Sequence, residues 1–148
     1  MTDVVFHYGV ADKVDYAIRL VRKVVRNGFR VQVALAPAEL AGFSARLWAT
    51  GPTSFFPHCD AQAPASVQRR SPVLLATTGA DSEPAGAVLL NLTHDMPHDL
   101  QRYQKILEVI STDPQDRQQG RVRKRAYDNA QCPVVMHDAG AVHMAGTV

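Results

Sequence analysis

The order of elements in the first third of this chain constrains its fold more than any other feature. Val4 to Val10 (VVFHYGV) reads as a first strand. Asp12 then offers an N-cap to a segment whose Val14, Ala17, Ile18, Val21, Val24 and Val25 keep the 3.6-residue period of a helix, and Asn27-Gly28 closes it. Val31, Val33 and Leu35 alternate as a second strand. Pro37 opens a second helix with Leu40, Phe43 and Leu47 on one side and Ala41, Ala45 and Trp48 on another. Strands separated by helices pair parallel, so the expected fold is α/β: an open, mostly parallel sheet with helices on both faces.

The remainder extends this pattern. Thr53 to Pro72 is a long Pro/Ala/Ser-rich connection containing Phe55-Phe56-Pro57-His58. Two apolar strands follow, Val73 to Ala76 and Ala87 to Leu92, separated by the turn-like TTGADSEPAG. A short helix is expected near Pro97 to Tyr103, then a strand through Ile106, Leu107, Val109 and Ile110, interrupted by Glu108. The 148 residues, 46% hydrophobic and 20% charged, suit one domain with a proper core, expected to span 1–137. The last residues, 138–148, read as a flexible C-terminal tail. Cys59 and Cys132 lack metal or redox spacing, and neither a signal peptide nor a membrane-length apolar run is visible, so a cytoplasmic location with free thiols is expected.

Charge is concentrated near the end. From Arg117 to Tyr127 there are five basic residues and no acidic one, although the whole chain carries a formal net charge of +2. Asp113-Pro114 supplies a helix start, with Asp116 favourable in its first turn. At helical spacing Arg117, Arg121, Lys124 and Arg125 share a cationic face, whereas Val122, Ala126 and Ala130 form a thin stripe expected to be buried. Gly120 and Tyr127 flank the cationic face, and Ile110 sits close by. Such a surface can seat an apolar group and hold its negative charge. A merely solvated amphipathic helix is the plainer alternative. Sequence-specific DNA reading lacks a helix-turn-helix, zinc-finger or aromatic RNA-binding pattern to accompany it.

An open α/β sheet invites a nucleotide, but the first turn, Tyr8-Gly9-Val10-Ala11-Asp12, holds one glycine and a carboxylate, and no G-x-x-x-x-G-K-[ST] occurs. No phosphate-binding loop, cofactor or metal is therefore expected. His94 and His98, four apart, with His58-Cys59 elsewhere, leave open a second reading: a small α/β enzyme with a His-based site, with or without a metal. Pro97 between the two histidines argues for a helix boundary there, making Thr93, Asp95 and Asp99 capping residues. Trp48, Phe55 and Phe56 are either core or an exposed anchor for a partner.

Leu47-Trp48, Ser54-Phe55-Phe56-Pro57-His58, Pro72-Val73-Leu74-Leu75 and the helix Arg-Val-Arg-Lys-Arg-Ala-Tyr, in that order, resemble the chi subunit of bacterial DNA polymerase III over nearly the whole chain to Gln131. The resemblance implies a non-catalytic accessory protein of the clamp loader with a Rossmann-like fold that has lost nucleotide binding. It also implies two partner surfaces. One would bind the acidic C-terminal tail of single-stranded DNA-binding protein, and by position would comprise Ile110, Arg117, Arg121, Arg125 and Tyr127, with Lys124 where relatives can carry an aromatic residue. The other, for the psi subunit that leads to the clamp loader, would include Trp48, Phe55, Pro57 and His58. Association with single-stranded DNA would then be indirect.

Overall fold

The computed structural model describes residues 2–48, 58–60, 73–77 and 87–140. Its strands are β1 (Asp3–Val10), β2 (Val31–Leu35), β3 (His58–Asp60), β4 (Val73–Thr77), β5 (Val88–Asn91), β6 (Lys105–Ser111) and β7 (Val134–Asp138). Among the described residues these form one sheet in the order β3-β4-β2-β5-β6-β1-β7, with every pairing parallel. The expected α/β architecture is present.

Helix α1 (Lys13–Arg26) begins at the Asp12 cap, whose carboxylate accepts the Asp15 N–H at 3.1 Å. It ends in a Schellman turn: Gly28, at φ +88°, lets its own N–H reach the Val25 carbonyl and that of Phe29 reach Val24. Helix α2 runs from Pro37 to Trp48. Both helices cover the same face, packing Ala17, Ile18, Val21, Phe43 and Leu47 onto the alternate strand residues Val31, Val33, Leu75, Leu90 and Val109. The opposite strand residues, Val4, Phe6, Leu89, Ile106 and Ile110, form a second, smaller core with Tyr127 of helix α3 (Pro114–Asn129). Helices thus lie on both faces. None among the described residues is long and apolar enough to cross a membrane.

Three expectations change. The helix placed at 97–103 is a single 3-10 turn, Leu100–Arg102, tied down where the Thr2 hydroxyl donates to the Leu100 and Tyr103 carbonyls at 2.8 and 2.9 Å. Strands β3 and β7 were not anticipated. β7 extends the sheet beyond β1 as far as Asp138, and Ala139 is buried in the first core. Residues 141–148, and nearly all of the 53–72 connection, lie outside the described residues.

Candidate functional site

Strand β6 delivers the chain to α3 through Thr112 and Asp113, where the Asp113 carboxylate accepts the Gln115 N–H at 3.2 Å and Pro114 occupies the first turn, as expected. The rotation of the helix is not as expected. Val122, assigned to the buried stripe, is 52% exposed, and Ala130 is exposed as well. The stripe that faces the sheet is Asp116, Gly120, Arg123 and Tyr127. Gly120 lets the helix approach β6 closely, because a Cβ there would lie 2.7 Å from the Ile110 Cδ1.

Beneath α3 lies a polar seam in an apolar sheet. Glu108, wholly buried in the middle of β6, accepts the Arg123 Nε–H at 3.0 Å on one oxygen. Its other oxygen accepts the Tyr127 hydroxyl at 2.7 Å and the Asn91 amide at 3.0 Å. Asn91 is itself oriented, since its carbonyl oxygen accepts the Thr93 N–H and hydroxyl at 3.0 and 2.7 Å. Burial pushes the Glu108 carboxyl above its ordinary range, and the Arg123 charge with the hydrogen bonds from Tyr127, Asn91 and Arg123 pulls it back only in part. Burial, with the Glu108 charge beside it, drives Tyr127 far above its usual value, so the phenol stays a neutral donor. The Phe6 ring meets Tyr127 edge-on at 5.8 Å between centroids.

A second polar cluster fixes the start of the helix. Asp116 accepts the Ser111 N–H at 2.7 Å and the Lys13 ammonium at 3.2 and 3.3 Å, and His94 Nε2 lies 3.3 Å away. Burial would raise this carboxyl, but the Ser111 hydrogen bond and the Lys13 charge outweigh it and hold the pKa below the ordinary value. The cluster lines a cleft of about 530 Å³ at the carboxyl ends of β2, β5 and β6, the place where open parallel sheets bind ligands. Phosphate chemistry does not suit it. Asp113 already occupies a free N–H group at the start of α3, and Asp116 and Glu39 add two more carboxylates to the lining. His98 is exposed, and among the described residues no three His, Cys, Asp or Glu side chains gather as metal ligands.

Arg117, Arg121 and Arg125 stand exposed, one turn apart, with no ion-pair partner among the described residues. Lys124 is half-buried and pairs with Asp128 at 3.0 Å. The cationic face is therefore real. Its expected apolar walls are not: Ile110 is buried under Gly120, and Tyr127 is fully buried with its hydroxyl turned to Glu108. Both underlie the face without opening onto it. Trp48 ends α2 and His58 begins β3, but their side chains, and all of Phe55 and Pro57, lie outside the described residues. Sequence reasoning overlooked the Glu108–Arg123 pair. Its signal was a lone carboxylate in an otherwise apolar strand, which demands a buried partner.

A family model described as DNA polymerase III chi subunit, HolC, matches residues 1–135, which takes in every strand but the end of β7 and all of α3. The chain belongs to this chi subunit family. It is 29% identical over 129 residues to DNA polymerase III subunit chi of Pseudomonas aeruginosa, an alignment covering 84% of this chain and 85% of that protein. The matched span places both the cationic face and the polar seam inside the family domain.

Proposed function

We propose that this chain is a non-catalytic accessory subunit of the replicative polymerase in the cytoplasm, tethering it to single-stranded DNA by holding the acidic C-terminal tail of single-stranded DNA-binding protein. The observation that carries this reading is the row Arg117, Arg121 and Arg125, exposed and lacking ion-pair partners among the described residues, on a helix inside the chi-family domain. Guanidinium forks spaced one turn apart suit successive carboxylates of an extended peptide. Lys124 adds charge at the margin, while Ile110 and Tyr127 act as the floor that sets the height of the helix. A second surface around Trp48, Phe55, Pro57 and His58 is proposed to hold the psi subunit and, through it, the clamp loader.

The test is capture of this chain by immobilised single-stranded DNA-binding protein with and without its last residues, beside naked single-stranded DNA. Capture should require the tail. Arg121→Glu should abolish capture while moving stability by less than about 0.5 kcal/mol, as exposed helix substitutions usually do. Unchanged capture by Arg121→Glu would return the helix to a solvated face. Retention on naked DNA at physiological salt would favour direct nucleic-acid binding instead.

A further inference from the structure

Helix α3 carries two stripes that could face the sheet. Val122, Ala126 and Ala130 follow the ordinary apolar pattern, whereas Asp116, Gly120, Arg123 and Tyr127 carry three polar side chains and a glycine. At helical spacing the two stripes point about 90° apart. The second is the one that is buried: it carries the Tyr127 ring, fully enclosed beside Phe6, whereas Val122 is 52% exposed. Beyond that ring, directional bonding holds it at three levels along the helix: Asp116 to the Ser111 N–H and Lys13, Arg123 to one oxygen of Glu108, and Tyr127 to the other. The Glu108 carboxylate cannot swivel to follow a rotated helix, because Asn91 holds it from the sheet side. Arg123 is 1% exposed and Glu108 0%, so either one alone would be a buried, unpaired charge.

We propose that Glu108 and Arg123 are positioning residues: a rotational lock that fixes which side of α3 meets the sheet and thereby aims the Arg117, Arg121 and Arg125 row at its acidic ligand. The lock rests on the tail-binding reading for its purpose, though not for its geometry. With the lock removed, only the Asp116 bonds and the Tyr127 ring oppose a turn of the helix towards Val122, Ala126 and Ala130, and a full exchange of stripes turns each guanidinium of the row by about a quarter turn.

The decisive variant is Glu108→Leu/Arg123→Met, which replaces the pair with apolar side chains, keeps net charge unchanged and touches nothing on the exposed face. Paired replacement of this kind commonly preserves folding. Two readouts are taken. The first is the rate at which a thiol reagent modifies Val122→Cys, after subtracting the parent chain's own cysteines; it should be fast with the lock intact and at least tenfold slower in the double variant. The second is calorimetric affinity for a tail peptide, which should weaken at least tenfold in the double variant and lose part of its salt dependence. A folded double variant with unchanged thiol reactivity overturns the lock, whatever the peptide does. Failure of the unmodified protein to bind the peptide sinks the tail reading, and the thiol measurement still decides the lock. Should the double variant not fold, Val122→Leu/Ala130→Leu enlarges the competing stripe on the surface with the lock untouched. Wild-type peptide affinity there supports the lock, and a tenfold loss refutes it.

Discussion

Two glycines inside helices should answer the same substitution with opposite signs. Replacing a mid-helix glycine by alanine ordinarily stabilises by about 0.5–1 kcal/mol, through the entropy removed from the unfolded chain. Gly42 in α2 should follow that rule, because a Cβ there meets no atom within 4 Å among the described residues. Gly120 should not. Its Cβ would lie 2.7 Å from the Ile110 Cδ1, 3.2 Å from Cγ1 and 3.5 Å from Cγ2, and Ile110 is only 5% exposed on the interior strand β6. A β-branched side chain has one comfortable χ1 and little room to retreat. Overpacking of this kind costs about 1–3 kcal/mol, which outweighs the propensity gain and leaves Gly120→Ala destabilised by about 0.5–2 kcal/mol. In a domain of this size each kcal/mol corresponds to about 2–4 °C in Tm. Urea unfolding of both variants supplies the comparison, and Ile110→Val, which removes the offending Cδ1, should show a favourable coupling of about 1 kcal/mol with Gly120→Ala. If Gly120→Ala proves as stabilising as Gly42→Ala, α3 does not sit this close to β6 and the account of its floor is wrong.

Tyr127→Phe keeps the ring but deletes the 2.7 Å bond to buried Glu108, and should cost about 1.5–3 kcal/mol in urea unfolding; a loss under about 0.5 kcal/mol would mean that the hydroxyl faces water instead. His7 supplies the acid limb of stability: burial first, then the nearby charges of His137, Lys23 and Lys105, lower its pKa from 6.5 to about 4, while Tyr16 OH lies 2.7 Å from its Nδ1. The folded protein therefore favours the neutral ring. That contribution is complete above the unfolded value and is lost as pH falls towards 4, by on the order of 3 kcal/mol at most. Thermal melts between pH 7 and 4 should show this slope, and His7→Leu should flatten it. An identical slope in the variant would assign the acid limb to other groups.

How much was legible in the chain depends on the range of the interaction concerned. The alternation of β1, α1, β2 and α2, the caps at Asp12 and Asp113, the stop at Asn27-Gly28 and the cationic row of α3 all rest on contacts within a few residues, which periodicity and cap chemistry report directly. Strand β3 has three residues, and β7 is an edge strand with Val135 and Met136 exposed, so neither shows a clean period-2 pattern. Short or edge strands are made by the neighbour they pair with, and that neighbour is distant in sequence.

The amino-acid order by itself determined the class of fold, the placing of the main elements and the presence of an arginine row on one helix. Only the tertiary structure decided which side of that helix is buried. Its own apolar stripe, one valine and two alanines, supplies little hydrophobic free energy. The deciding bonds join residues 15, 17, 19 and 103 positions apart: Arg123 and Tyr127 with Glu108, Asn91 with Glu108, and Lys13 with Asp116. Where local preference is weak, a few directional contacts closed across the sheet set the orientation, and no periodicity within the helix can reveal them.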